Sequence, residues 1–142
     1  MIRRAEEKDL PILAELACQL WPDHTAEEMG SEFAEIMAKP DAVFFLTYAG
    51  KTAIGFAQCQ LRYDYVEGTD SSPVGYLEGI YVAEGYRAQG VAKQLLAACE
   101  SWARSVFPVW DAPPIRIITK SAPYSFFVKH MIRFASSNPI FR

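Results

Sequence analysis

The chain is poor in the residues that build metal centres and disulfide frameworks: its 142 residues include three cysteines and two histidines. Cys18, Cys59 and Cys99 lie far apart, without CxxC spacing and in apolar surroundings. They read as reduced core thiols of a cytosolic protein, and with only His24 and His130 beside scattered carboxylates no metal site is expected. Long hydrophobic runs are missing too. The longest, AVFFL, falls far short of the roughly 20 apolar residues of a spanning helix, and MIRRAEEKDL has no apolar stretch behind its basic residues, so neither membrane insertion nor secretion is expected. There is no excess of positive charge: 14 Lys and Arg face 17 Asp and Glu, a net charge of −3. A nucleic-acid partner needs a basic face, so this balance argues against one and suits a cationic ligand. Neither GxxxxGK followed by Ser or Thr nor a complete GxGxxG occurs, and no repeat or low-complexity segment divides the chain.

What is present is globular: 51% hydrophobic and 13% aromatic residues, enough for one domain over residues 1–142 that buries a core without staples. Met1 to Ala5 reads as a short strand. Leu10, Leu13, Ala17 and Leu20 recur with helical period behind Asp9 as N-cap, with Pro11 in the first turn, and this helix ends near Trp21-Pro22. Thr25 and Glu28 form a T-x-x-E capping box for a second helix through Met29, Phe33, Ile36 and Met37, stopped by Pro40-Asp41. Three strand-like runs follow, Ala42 to Tyr48, Thr52 to Arg62 and Gly75 to Val82, the first two joined at Gly50-Lys51. A third helix runs from about Gly90 to Arg104, with Val91, Leu95, Ala98 and Trp102 on one face. The order β-α-α-β-β-β-α is an α/β (α+β) plan in which sequential strands form antiparallel hairpins.

Between the last strand and the last helix lies Arg87-Ala88-Gln89-Gly90-Val91-Ala92. A glycine lets the backbone approach a ligand, and a helix's first turn aims N–H groups and partial positive charge at whatever precedes it, which suits phosphate; Arg87 and Lys93 add formal charge. The bland alternative is a glycine that merely caps a turn. Matching R/Q-x-x-G-x-G/A between strand and helix, this segment resembles the loop of the GCN5-related N-acetyltransferase (GNAT) superfamily. That resemblance implies a mixed, mostly antiparallel sheet, and a loop that holds the pyrophosphate of acetyl-coenzyme A.

Four further stretches, Leu20-Trp21-Pro22-Asp23-His24, Arg62 to Gly68, Ser71 to Val74 and Tyr76-Leu77-Glu78-Gly79-Ile80-Tyr81-Val82, are similar to those of the aminoglycoside 6′-N-acetyltransferases, a likeness that reaches about Ser105. It implies cofactor contacts along Ile80, Tyr81 and Val82 and along Ala88, Gln89, Gly90, Val91, Ala92 and Lys93. It implies an aminoglycoside, a cationic small molecule, near Trp21, His24, Tyr65 and Glu78, and it admits a homodimer. An aminoglycoside amine is mostly protonated at neutral pH, so its acetylation needs a proton acceptor, and Glu78 on the strand beside the loop is the candidate catalytic residue. Gly79 can bulge that strand and release N–H groups at Ile80 to Val82, one of them for the oxyanion. Each residue also has a plainer reading: Glu78 as a solvent-facing edge residue, Trp21 as the apolar end of a helix, His24 as an exposed turn residue, and Tyr65 as part of a solvated acidic loop. An acyl-cysteine route through Cys59 or Cys99 is disfavoured, because neither has a histidine nearby in sequence.

After Ser105 the likeness stops. Neither Asp111 nor Tyr124 aligns with a family carboxylate or leaving-group acid, and Pro108, Pro113, Pro114 and Pro123 interrupt the strand expected there. A reading-frame change near residue 105 accounts for this, since suitable codons for PPIRIITK read in another frame give a family-like PDTDNHE; the gene sequence tests it. Two classes of function therefore stand: an acetyltransferase, acting on an aminoglycoside or another small amine, and a degenerate domain that binds acetyl-coenzyme A or a second chain without turnover.

Overall fold

β-Branched and aromatic residues between Ala42 and Val82 pair into the centre of one sheet, and the amphipathic segments on either side of them in sequence cover its two faces. A computed structural model of the chain describes residues 1–62, 74–106 and 117–119. The elements run β1 (Ile2–Arg4), α1 (Leu10–Leu20), α2 (Ala26–Met37), β2 (Ala42–Ala49), β3 (Thr52–Arg62), β4 (Val74–Val82), α3 (Val91–Val106) and β5 (Ile117–Thr119). Short 3-10 turns at Glu7–Asp9 and Glu84–Tyr86 precede α1 and follow β4. The sheet has the order β1-β2-β3-β4-β5. The pairs from β1 to β4 are antiparallel, and β5 pairs parallel to β4 with Ile117 opposite Gly75 and Thr119 opposite Leu77. A strand of three residues, Ile117–Thr119, pairs beyond Pro113-Pro114 in sequence, while Pro108, Pro113, Pro114 and Pro123, on which the expected interruption turns, lie outside the described residues.

Two apolar clusters explain why the central strands carry apolar residues at successive positions. Val43, Ala57, Cys59, Leu61, Leu77, Ile80 and Val82 pack against Leu95, Leu96, Cys99 and Trp102 of α3. On the opposite face Phe44, Leu46 and Phe56 pack against Leu13, Ala17, Met29 and Phe33 of α1 and α2. A strand buried on both sides needs apolar residues at successive positions, and AVFFL in β2 is such a strand. The buried face of α3 is Leu95, Leu96, Cys99, Trp102 and Ala103, with Val91 and Ala98 at its half-buried margin.

Local signals place the helices with two adjustments. Asp9 sits at the N-cap of α1 without capping it by its side chain. Its buried carboxylate instead accepts two hydrogen bonds from Arg3, at 2.8 and 2.7 Å, and one from the Glu6 N–H at 2.8 Å. These Arg3 bonds, helped by the backbone donor and opposed by burial, hold Asp9 down at a pKa of about 2 and tie β1 to the start of α1. Thr25 caps α2 as its sequence signals, Oγ1 accepting from the Glu28 N–H at 3.1 Å. The reciprocal half of that box is replaced, because the Glu28 carboxylate lies 3.3 Å from Nδ1 of His24.

Candidate active site

The site is organised by one irregularity in β4. Gly79 pairs with Gln58 and Leu77 with Cys59, so Glu78 is an extra residue with no Cα partner on β3. An inserted residue of this kind bends a strand and resets the faces beyond it. Leu77 and Ile80 are three positions apart and would fall on opposite faces of a regular strand, yet both pack in the α3 cluster. The bulge supplies the missing step. Simple alternation is therefore a poor guide to Glu78, and the bulge that Gly79 suggested is present. Glu78 itself is half-buried.

On the α1 side of the bulge stands Trp21. The indole is half-buried, packs edge-on against Phe56 with ring centroids 6.3 Å apart and an interplanar angle of 61°, and lies directly over Gly79. Its backbone N–H closes α1 by donating to Ala17 O at 2.8 Å, and the His24 N–H donates back to Trp21 O at 3.1 Å. One turn thus carries Trp21 and His24 from α1 into α2, with the His24 ring exposed beside Glu28. Tyr65 lies outside the described residues. Gln58, which sequence reading passed over, is buried in β3 opposite Gly79; a glutamine directly after the apolar run Ala53 to Ala57 was the signal available for it.

Beyond the bulge, Ile80, Tyr81 and Val82 lead into the loop. β5, as far as it is described, is paired with Gly75 to Leu77, so this stretch lies past the last described pair. Arg87 anchors the turn: its Nε donates to Val82 O at 2.8 Å and its guanidinium stands 5.8 Å from the Tyr81 ring centroid. At least part of its charge therefore serves the loop's shape, a role the sequence alone did not suggest. Ala88 and Gly90 both take left-handed φ values, 63° and 82°. The helical ladder of α3 begins with the Gln94 N–H donating to Gly90 O at 3.1 Å, so the N–H groups of Val91, Ala92 and Lys93 lie ahead of it. Gln89 and Gly90 are exposed, and nothing lies within 4 Å of where a Gly90 side chain would begin. An open turn ending on helix N–H groups fits an anionic phosphate group.

The arrangement thus puts a carboxylate and an aromatic platform before Ile80 to Val82 and an anion cradle after them. Nucleophilic cysteine chemistry does not fit: Cys59 and Cys99 are buried, and the hydrogen bond that the Cys99 thiol shares with Cys59, together with burial, pushes that thiol well up, away from thiolate. Among the described residues no group of three or more His, Cys, Asp or Glu could hold a metal ion, and no helix is long and apolar enough to cross a membrane. A shallow cavity of about 580 Å³ between α1 and α2, lined by Leu10, Ala14, Gly30 and Ala34 among others, includes none of the site residues.

Comparison with known proteins places these features in a family. Residues 10–110 match the pattern of the acetyltransferase (GNAT) family. An aminoglycoside N(6′)-acetyltransferase type 1 of Salmonella enteritidis is 43% identical over 101 residues, 71% of this chain and 70% of that protein. Among solved structures, the aminoglycoside N-acetyltransferase AAC(6′)-Iy in complex with CoA matches with a TM-score of 0.83 at 33% identity, over 94% of this chain and 84% of that one. The same enzyme in complex with the bisubstrate analogue CoA-S-monomethyl-acetylneamine matches with a TM-score of 0.80 at 33% identity, over 94% of this chain and 87% of that one.

Proposed function

The chain belongs to the acetyltransferase (GNAT) family, and on that premise we propose that it transfers an acetyl group from acetyl-coenzyme A to the 6′-amino group of an aminoglycoside. The observation that carries this reading is the β4 bulge, which sets Glu78 and the Trp21 platform on one side of Ile80 to Val82 and the Ala88-to-Lys93 cradle on the other. The relative's bisubstrate complex, joining CoA to an acetylneamine moiety, supports pairing these two ligands across one site.

The roles follow from the geometry. Backbone N–H groups of Val91, Ala92 and Lys93, with the turn through Ala88, Gln89 and Gly90, hold the pyrophosphate, and Ile80, Tyr81 and Val82 hold the arm of the carrier along β4. When bound, acetyl-coenzyme A supplies the activated acetyl thioester. Trp21, His24 and Tyr65 receive the aminoglycoside, the indole offering a flat face to a sugar ring and its amine. Glu78 attracts the cationic amine, accepts its proton directly or through water, and so exposes the nitrogen lone pair that attacks. A β4 N–H beyond the bulge stabilises the carbonyl oxygen as charge develops on it, until the C–S bond breaks and coenzyme A leaves as a thiolate that takes the proton given up by the new amide nitrogen. The sheet shared by Ile2 through Thr119 supports one domain for all of this.

Thiol release from acetyl-coenzyme A tests the reading. The purified chain is expected to release thiol on addition of kanamycin, and Glu78→Gln is expected to cut kcat by about 100-fold or more while acetyl-coenzyme A still binds. Release that persists unchanged in Glu78→Gln removes the proton-acceptor role. The sequence departure after Ser105 favours a second reading, a domain that binds the carrier without turnover; calorimetric binding with no thiol release for any amine identifies it.

A further inference from the structure

The space above Gly79 is filled by another residue. A β-carbon built on Gly79 would stand 2.5 Å from Cη2 and 2.9 Å from Cζ2 of Trp21, and 3.3 Å from Cδ2 of Leu20. The glycine is not required by a left-handed backbone: among the described glycines such φ values occur at Gly50 and Gly90, whereas Gly79 lies within β4. Alanine would suit that conformation and fail only for lack of room. The obstacle, moreover, is the tip of an indole ring and not the main chain. At Gly55 the equivalent atom would meet Tyr81 O at 2.5 Å, a contact that no side-chain rotation relieves.

Trp21 is held where α1, β3 and β4 meet. It is the last residue of α1's hydrogen-bonded turn, it leans on Phe56 of β3, and its ring tip enters the gap at Gly79 next to the bulge residue Glu78. From this we propose that Gly79 is a positioning residue for the amine substrate: its missing side chain seats the Trp21 indole against the bulge and so fixes the aromatic platform beside Glu78. Gly79 touches no reacting atom in this role and acts through Trp21. The inference rests on the function proposed above, and it adds a determinant of substrate recognition that is separable from the carrier site.

A double-mutant cycle in thiol release with kanamycin tests it, alongside calorimetry with acetyl-coenzyme A. Gly79→Ala evicts the ring, and the expected result is a KM for kanamycin raised about tenfold with kcat changed by less than about threefold. Affinity for acetyl-coenzyme A stays within about twofold of the parent. In a Trp21→Phe background, where the two ring atoms nearest Gly79 are gone, the same alanine changes KM by less than about twofold. An unchanged KM in Gly79→Ala, an equal penalty in both backgrounds, or an equal loss of carrier affinity overturns the proposal. If Gly79→Ala does not fold, the seat requires that the double variant Gly79→Ala/Trp21→Phe does, and failure of both overturns it. If the parent turns over no aminoglycoside, the function proposed above falls by itself and the seat is read from near-ultraviolet circular dichroism. Gly79→Ala must then alter the indole bands in the parent and leave them unaltered in the Trp21→Phe background; any other pattern overturns it.

Discussion

The two sides of the β4 bulge are built on different principles. The side proposed for the carrier is main chain: left-handed turns at Ala88 and Gly90, the N–H groups opening α3, and a loop pinned through the Arg87 bond to Val82 O. The side proposed for the amine is side chain: Trp21 wedged between Phe56 and Gly79, His24 on the turn behind it, and Glu78 as the inserted residue. A main-chain site is specified by a few adjacent residues and, on the proposed reading, takes the pyrophosphate of the carrier. A side-chain site is assembled from α1, β3 and β4 and can be retuned without disturbing the other. The lesson is one of separability, and substitutions on either side are the means to break or sharpen it.

The largest stability effect is expected at Gly55, which backs the carrier side from β3. Alanine there meets Tyr81 O and approaches Val82 Cα, at 3.4 Å, as well as the Thr47 methyl at 3.1 Å. Because a strand must move, Gly55→Ala is expected to lose about 1–3 kcal/mol in denaturant unfolding. Acetyl-coenzyme A affinity is expected to fall with it, while the KM for kanamycin is spared. A selective loss of amine recognition would instead show that the two sides share a scaffold. A smaller effect follows at Gly90, where open space but a φ of 82° confronts any side chain. Gly90→Ala should cost about 1 kcal/mol of stability and weaken the carrier several-fold. The smallest is Ala88→Gly: relief of the left-handed conformation is offset by the extra entropy of glycine in the unfolded chain, leaving stability within about 0.5 kcal/mol of the parent. A stabilisation well beyond that would mean that Ala88 is more strained than its φ of 63° implies.

This difference also sets what could be read from the sequence. The three helices and the strands β1 to β4 were legible within a residue or two because capping residues, Pro11 and the apolar periods are local signals, and Thr52–Arg62 was placed at its bounds. The carrier loop was legible for the same reason: a glycine, small neighbours and a following helix are contiguous. Glu78 was harder. Alternation around Tyr76 and Leu77 misleads because the register resets at the bulge, and that reset is imposed by pairing with Gln58 and Cys59 some twenty residues earlier. The seat of Trp21 over Gly79 brings together residues from two elements, and no period or motif records it. Likewise Asp9 could be placed at a helix start by residue type, but its partner Arg3 lies on a strand and draws the carboxylate away from capping. Side-chain assignments made from local motifs fail where tertiary partners compete for the same group.

Separability is tested most directly by titrating acetyl-coenzyme A calorimetrically into the Trp21→Phe/Glu78→Gln double variant and into the parent chain. With the carrier held by main-chain groups beyond the bulge, the two dissociation constants should agree within about threefold. A loss of tenfold or more in the double variant, or no binding to the parent at all, would contradict the account.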